Sequence, residues 1–210
     1  MGDLGRDFRR ADTLLWFGNE AIHIWDERKK TESCIQLLGP DEWIPYVPKY
    51  YFIWEEGERY REELRGLLGT SPLNKRRILA ATPEDITVME AAAIEDFICA
   101  ALGGGVRYGG LSLYSQSQLL CPPGSSAIAM TRSCRCYCAS LVRDGEIVER
   151  LLLDVNDCTR DELLRAVRDF HSRYHDNAIE VYYPQTEEDW LLMGLGAPVE
   201  FEGIVERWAG

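Results

Sequence analysis

No apolar run in this sequence approaches the roughly 18 residues needed to cross a bilayer, so membrane insertion is not expected. The first twelve residues, MGDLGRDFRRAD, carry charge where a secretory signal needs an apolar stretch, and a cytoplasmic location follows as the expectation. Basic residues are scarce: 23 lysines and arginines face 35 acids, for a net charge of −12. Such a surface repels polyphosphate, which excludes nucleic acid as the expected partner. None of the seven cysteines belongs to a CxxC pair, and a reducing compartment keeps them as thiols. No Gly-x-Ser-x-Gly run, no low-complexity tract and no long linker occur. The nearest approach to a joint is Cys121-Pro122-Pro123-Gly124-Ser125, a rigid turn near mid-chain.

What is present is a hydrophobic content of 46%, enough for a substantial core, and a regular succession of apolar segments. Residues 1–11 are polar and expected to fray. Thr13–Phe17, Ala21–Trp25 and Cys34–Leu38 read as three strands, with Gly18-Asn19 and a charged DERKKTE run as turns. Residues 40–54 are aromatic but broken by Pro45 and Pro48, which suits an extended edge. Glu55–Leu68 reads as a helix stopped by Gly69. Arg77–Ala81 is a buried strand, and Thr82-Pro83-Glu84-Asp85 opens a helix with a threonine cap and first-turn acids. Its inner face is expected at Ile86, Met89, Ala93, Phe97 and Ala100, and Leu111–Tyr114 follows as a strand before a short SQSQLL segment.

The second half opens the same way. Ser126–Asp154 reads as three strands with Asp144-Gly145 as the second turn, and Thr159 to Glu162 is a capping box for a helix with Leu163, Val167, Phe170 and Tyr174 inward. Ala178–Tyr183 is a strand, Thr186–Met193 a helix, Pro198–Phe201 a strand and Ile204–Trp208 a final helical turn. Both halves therefore read βββαβαβ with a closing helix, an internal repeat of architecture without a repeat of residues. A three-strand meander followed by alternating helices and strands gives an α/β fold with mixed sheets covered by helices, the order of ribonuclease-H-like domains. The expected domains are residues 12–122 and 123–210, lying side by side.

Particular runs carry a further resemblance. RDGEIVERLLL looks like the "KDGEIV" hairpin that follows the second phosphate loop of bacterial actin-like proteins, the group of rod-shape, cell-division and pilus-assembly (PilM-type) members. ILAATPEDITVMEAAAIEDFICAALGGG resembles their connecting region, and NAIEVYY, MGLGAPVEF and the final Ala-Gly resemble their terminal strands and closing residues. The resemblance covers most of the chain and implies two ribonuclease-H-like halves that together bind Mg-ATP. The catalytic positions depart from it. Where the family has "D-x-G-T", the aspartate acting through Mg²⁺ and the amides cradling phosphate, this chain has Trp16-Phe17-Gly18-Asn19. Where a "D-x-G-G-G-T" run belongs, it has Met130-Thr131-Arg132-Ser133-Cys134-Arg135-Cys136, without glycine or carboxylate. The connecting acid falls near Ser115-Gln116, and the adenosine "G-G" near Pro184-Gln185. No ATPase chemistry and no cofactor are expected, and ribonuclease-H nuclease chemistry lacks its first-strand acids too.

Several constellations have a functional and a structural reading. Cys134, Cys136 and Cys138 alternate, which puts three thiols on one side of a strand; they would suit zinc or copper(I), or pack as small buried hydrophobes. Arg132 and Arg135, with Gly18 and Asn19 in the first turn, are candidates for an anion site, or the arginines are solvated or ion-paired; Arg107 is a further basic residue before a strand. His171 and His175 have helical metal-ligand spacing, which a helix C-terminus also explains. Trp43, Tyr46, Tyr50, Tyr51 and Trp54 form either a docking surface for a protein partner or a strand covering its own sheet. The leading expectation is a catalytically silent adaptor or scaffold that binds another protein through a groove between its halves or a sheet edge. A rebuilt pocket for a nucleotide or other anionic small molecule, and a cysteine-based metal module, stand as alternatives.

Overall fold

A computed structural model describes residues 4–37, 56–69, 76–103, 110–174, 179–186 and 189–209. They divide into two compact units, one made of residues up to Thr82 plus Ile86–Tyr114, the other of Pro83–Asp85 plus the chain from Ser115 onward. Residues 115–122, which the sequence reading gave to the first half, therefore belong to the second unit.

The first unit begins with α1 (Leu4–Arg10), a helix where fraying was expected. Seven residues are too few to be helical alone. Leu4 and Phe8, one turn apart, are both buried, and Asp7 accepts hydrogen bonds from Ser112 (3.0 Å) and Tyr114 (2.9 Å), so tertiary contacts hold the helix in place. Strands β1 (Thr13–Phe17), β2 (Ala21–Asp26) and β3 (Thr31–Gln36) form the antiparallel meander. The last of these starts earlier than expected because the charged turn closes within Glu27–Lys30, where Lys30 adopts φ 54°. Helix α2 (Gly57–Leu68) buries Tyr60, Leu64 and Leu68 at helical spacing and ends at Gly69, whose φ of 73° suits glycine. Strand β4 (Ile78–Thr82) is wholly buried, α3 (Val88–Leu102) crosses back, and β5 (Leu111–Ser115) completes the sheet β3-β2-β1-β4-β5.

The expected start of α3 was displaced. Thr82 stays in β4, and the cap is Thr87, which forms a reciprocal capping box with Glu90. The buried stripe is consequently Ile94, Phe97, Ile98 and Ala101, while Met89 is 84% exposed. In a helix with apolar residues on nearly every face, periodicity alone does not select the buried stripe.

The second unit opens with the short α4 (Gln116–Leu120), then the meander β6 (Ser126–Arg132), β7 (Cys136–Arg143) and β8 (Glu146–Asp154). The turn Asp144-Gly145 has both φ values positive, 51° and 78°, as a two-residue hairpin of this twist requires. Helix α5 (Arg160–Tyr174) carries the expected Thr159–Glu162 capping box and buries Leu163, Ala166, Val167 and Phe170. Strands β9 (Glu180–Pro184) and β10 (Ala197–Val199) run parallel to β6, and α6 (Phe201–Ala209) closes the unit. Turns at residues 190–194 stand where a helix was expected before β10. At Gly196 a Cβ would lie 2.2 Å from the Val181 carbonyl oxygen, so only glycine permits β10 to approach β9.

The sheet order here is β10-β9-β6-β7-β8. Numbered within each unit, both sheets have one order, 3-2-1-4-5: an α/β fold of two mixed sheets covered by helices, as the ribonuclease-H-like reading requires. Each unit has its own core. Leu15, Phe17, Ile24, Tyr60, Leu64 and Phe97 centre the first, and Ile128, Met130, Leu141, Leu163 and Phe170 the second.

A buried ion pair ties the first sheet to its helix. Arg76, 5% exposed, donates through both terminal nitrogens to the two oxygens of Asp26 (3.1 Å each) and also to Thr13 Oγ1 and the Leu68 carbonyl. Burial by itself raises the Asp26 carboxyl, but the Arg76 fork and nearby Lys29 outweigh it and hold the group below the ordinary value of 3.8. For Asp12, burial is likewise outweighed, by hydrogen bonds from Arg28 and from the Arg77 amide. The unfolded chain thus binds more protons in acid than the folded one. The stability these carboxylates contribute is complete above about pH 4 and is lost as pH falls through their folded values. Arg76→Met is expected to cost about 3–5 kcal/mol by denaturant unfolding at neutral pH, because it strands a buried carboxylate. In Asp26→Asn the loss of stability on acidification should be shallower than in the parent chain.

Candidate functional site

The hairpin turn Ser133–Arg135, between β6 and β7, is where the sequence reading placed a lost phosphate loop. The amides of Ser133, Arg135 and Cys136 are satisfied from within. Ser133 Oγ accepts from the N–H groups of Arg135 and Cys136 (3.0 Å each), and the Ser133 N–H donates to the Cys136 carbonyl (2.8 Å). The same hydroxyl donates to Asp85 Oδ2 (2.9 Å), and that oxygen also takes the Arg135 Nε–H at 2.8 Å. A carboxylate of the chain thus occupies the place of an external anion, with an arginine and a hydroxyl around it.

Its neighbour Glu84 goes deeper. Only 6% exposed, it accepts from the Ser117 amide and hydroxyl through one oxygen (2.6 Å each) and from Thr131 Oγ1 through the other (2.5 Å). Arg150 of β8 donates to the Glu84 carbonyl (2.7 Å). Sequence reasoning assigned Glu84 and Asp85 to the first turn of a helix and missed both roles. The available signal was the second cap motif, Thr87-x-x-Glu90, which moves the helix start beyond them.

The other sequence candidates fall as follows. Arg135 pairs with Asp85, and Arg132, 39% exposed, pairs with Asp189 (3.2 Å) and lies over the Tyr137 ring. The geometry therefore brings each arginine to an internal carboxylate. Gly18 is buried and Asn19 half-buried; the Gly18 N–H is spent on the Ala21 carbonyl (3.0 Å) inside its own hairpin, and Trp16 is fully buried. Cys136 and Cys138 are buried on β7, but Cys134 lies in the turn and not on the strand, which corrects the picture of three thiols on one strand face. Burial pushes the Cys136 thiol up to about 11 and raises Cys138 further, so both remain protonated at neutral pH. Among the described residues no three His, Cys, Asp or Glu side chains form a cluster that would hold a metal ion. The ring of His171 bonds the Ile179 carbonyl (3.0 Å). His175, Arg107 and the aromatic set Trp43, Tyr46, Tyr50, Tyr51 and Trp54 lie outside the described residues.

At the carboxyl ends of the parallel strands β9 and β10 the second unit has a cavity of about 480 Å³, lined by Tyr183, Pro184, Gln185, Thr186, Asp189, Met193 and Pro198. The strand ends of an open α/β sheet are the usual place for a ligand, and this volume suits a small molecule. Of the described residues that line it, Asp189 alone carries a carboxylate. That carboxylate is committed, accepting from Arg132, the Tyr137 hydroxyl (3.3 Å) and the Leu191 amide (2.9 Å). Burial pushes the Tyr137 phenol up, which keeps its proton on that bond. The recess offers rings, an amide and a hydroxyl for recognition. Pro184-Gln185 was placed near an adenosine contact from sequence; Asp189 carried no sequence signal.

No protein-family model matches the chain. No curated protein matches it either. Among solved structures it is similar to an ethanolamine utilization protein, EutJ, from Carboxydothermus hydrogenoformans, at 12% identity, 94% of this chain, 80% of that one and a TM-score of 0.48. It is also similar to MreB 5 of Spiroplasma citri bound to AMPPNP, at 10% identity and a TM-score of 0.45 over 77% of this chain; the match spans 57% of the MreB 5 chain. A Bacteroides thetaiotaomicron protein with an actin-like ATPase fold and unknown function matches at 9% identity, TM-score 0.43, over 90% of this chain and 87% of that one. Among the described residues no helix is long and apolar enough to cross a membrane.

Glu84→Ala should destabilise the chain, at about 1–3 kcal/mol for each buried donor it orphans, measured by urea unfolding. Thiol chemistry gives a separate check. A maleimide at neutral pH is expected to modify exposed Cys34 in the folded protein, and Cys121, whose thiol burial pushes up to about 12, only after unfolding, together with Cys136 and Cys138. Comparable labelling rates by peptide mass spectrometry would contradict this placement.

Proposed function

We propose that the chain is a catalytically silent, actin-like adaptor or scaffold, acting in the assembly of a cytoplasmic or membrane-associated complex without hydrolysing ATP. The observation that carries this reading is the turn Ser133–Arg135, where Ser133 Oγ caps the Arg135 and Cys136 amides and Asp85 meets the Arg135 charge. A triphosphate needs free amides and a metal-binding carboxylate at such a turn. Here it would have to displace a carboxylate held at high effective concentration by its own chain. The first hairpin supports the same conclusion, with a buried tryptophan in place of the expected aspartate and a glycine amide already bonded. A repeated α/β scaffold whose hairpin turns are occupied in this way suits a role of presenting surface to a protein partner.

The cavity at Tyr183–Pro198 favours a second reading, a small-molecule binder with a rebuilt pocket and Arg132 near its mouth. Calorimetric titration with Mg-ATP separates the two. No saturable heat is expected, and one-to-one saturation at micromolar concentration would overturn the silent reading. A panel of phosphorylated small molecules tests the pocket by thermal shift, since a ligand at 100 times its dissociation constant adds about 2.7 kcal/mol. A stabilisation lost in Gln185→Ala would favour the pocket.

A further inference from the structure

Among the described residues, strand β8 is the outer strand of its sheet, with β7 as its neighbour. Natural edge strands are kept short, charged or broken by proline to prevent pairing. This one is nine residues long, EIVERLLLD; it carries Glu146, Glu149, Arg150 and Asp154 and a register shift near its start, but it lacks proline and exposes Val148 (49%), Leu151 (37%) and Leu152 (47%).

Its backbone register shows which groups face outward. The Val155 N–H bonds the Arg135 carbonyl (3.0 Å), toward β7. Backbone polar groups alternate sides along a strand, so those of Leu153 and Leu151 also turn to β7, while those of Asp154, Leu152 and Arg150 turn to the open edge. Side chains alternate between faces. Leu151 and Leu153 stand opposite Ala139 and Tyr137, on the face whose core includes Leu163 and Phe170 of α5. Arg150, Leu152 and Asp154 share the other face, opposite Ser140, Cys138 and Cys136.

The geometry points to a second copy of this chain as the occupant of the β8 edge, paired antiparallel about a two-fold axis through Leu152. In a continuous sheet such an axis stands perpendicular to the sheet and pairs residues of equal parity. Centred on Leu152, it sets Leu152 against Leu152, Leu151 against Leu153, and Arg150 of each copy against Asp154 of the other. The two Leu152 residues exchange N–H···O=C bonds, and each Asp154 N–H donates to the opposing Arg150 carbonyl. The Asp154 carbonyl already accepts from the Cys158 N–H (2.9 Å). Arg150 spends one N–H on the Glu84 carbonyl and keeps others for the opposing carboxylate, whose Oδ1 accepts from Asn156. Centring on Arg150 would oppose two arginines, and centring on Glu149 or Leu151, though the outward backbone groups could still pair, would give Arg150 no opposing carboxylate. Charge, apolar contact and outward hydrogen-bonding groups agree in one register. This inference does not depend on whether the chain binds nucleotide.

Sedimentation equilibrium of the full chain across micromolar concentrations should return twice the chain mass. Leu152→Lys puts like charges on the axis at a half-exposed position and should give a folded monomer by circular dichroism. Arg150→Asp and Asp154→Arg should each raise the dimer dissociation constant at least about tenfold, equivalent to 1.4 kcal/mol, and the double exchange should restore it. A monomer at every concentration overturns the proposal, as does a dimer indifferent to Leu152→Lys. Single exchanges that remain folded but are not rescued by the double exchange also overturn it.

Discussion

The carboxylate of Asp85, held by Ser133 and Arg135, organises the second unit around its first hairpin. A three-residue turn between two buried strands leaves amides that need acceptors, and an arginine beside it needs a counter-charge. One serine hydroxyl and one aspartate meet both needs, and Glu84 next to it satisfies Ser117 and Thr131 further in. Removing water from two adjacent carboxylates is costly, so their donors have to be in place. The hairpin, strand β6 and the start of α4 supply those donors, while Arg150 of β8 holds the Glu84 backbone carbonyl. The same pairing that stabilises the turn sets an internal carboxylate beside Arg135.

The two sheets share strand order but differ at their margins. In the first unit, β3 is an edge among the described residues, with Ile35 as its buried residue. In the second, β8 extends to nine residues and leaves leucines in solvent. Identical topology therefore does not imply identical surface, and the difference lies in side-chain pattern at positions where the fold imposes little. A long edge that exposes leucines is a liability for a protein meant to remain alone and an asset for one that assembles.

Much of the architecture was legible because strand and helix periodicities are local. The meanders, Gly69, the Asp144-Gly145 turn and the Thr159 cap follow from propensity and turn chemistry within a few residues. The failures share a cause. Helix α1 exists because Leu4, Phe8 and Asp7 find distant partners. The start of α3 was ambiguous between two cap motifs, Thr82 and Thr87, and only burial of Glu84 decides between them. Residues 190–194 carry helical spacing yet form turns, with Asp189 capping the Leu191 amide and Arg160 bonding the Trp190 carbonyl.

What the sequence by itself determined is the doubled α/β order, since it depends on residue types at short spacing. Tertiary structure alone decided where the charges went. Asp85 meets Arg135 across fifty residues, Glu84 meets Thr131 and Ser117, Asp189 meets Arg132, and Asp26 meets Arg76. Opposite charges are attracted at any sequence separation, and desolvation makes the buried pairings selective. No local pattern records which acid will be brought to which arginine.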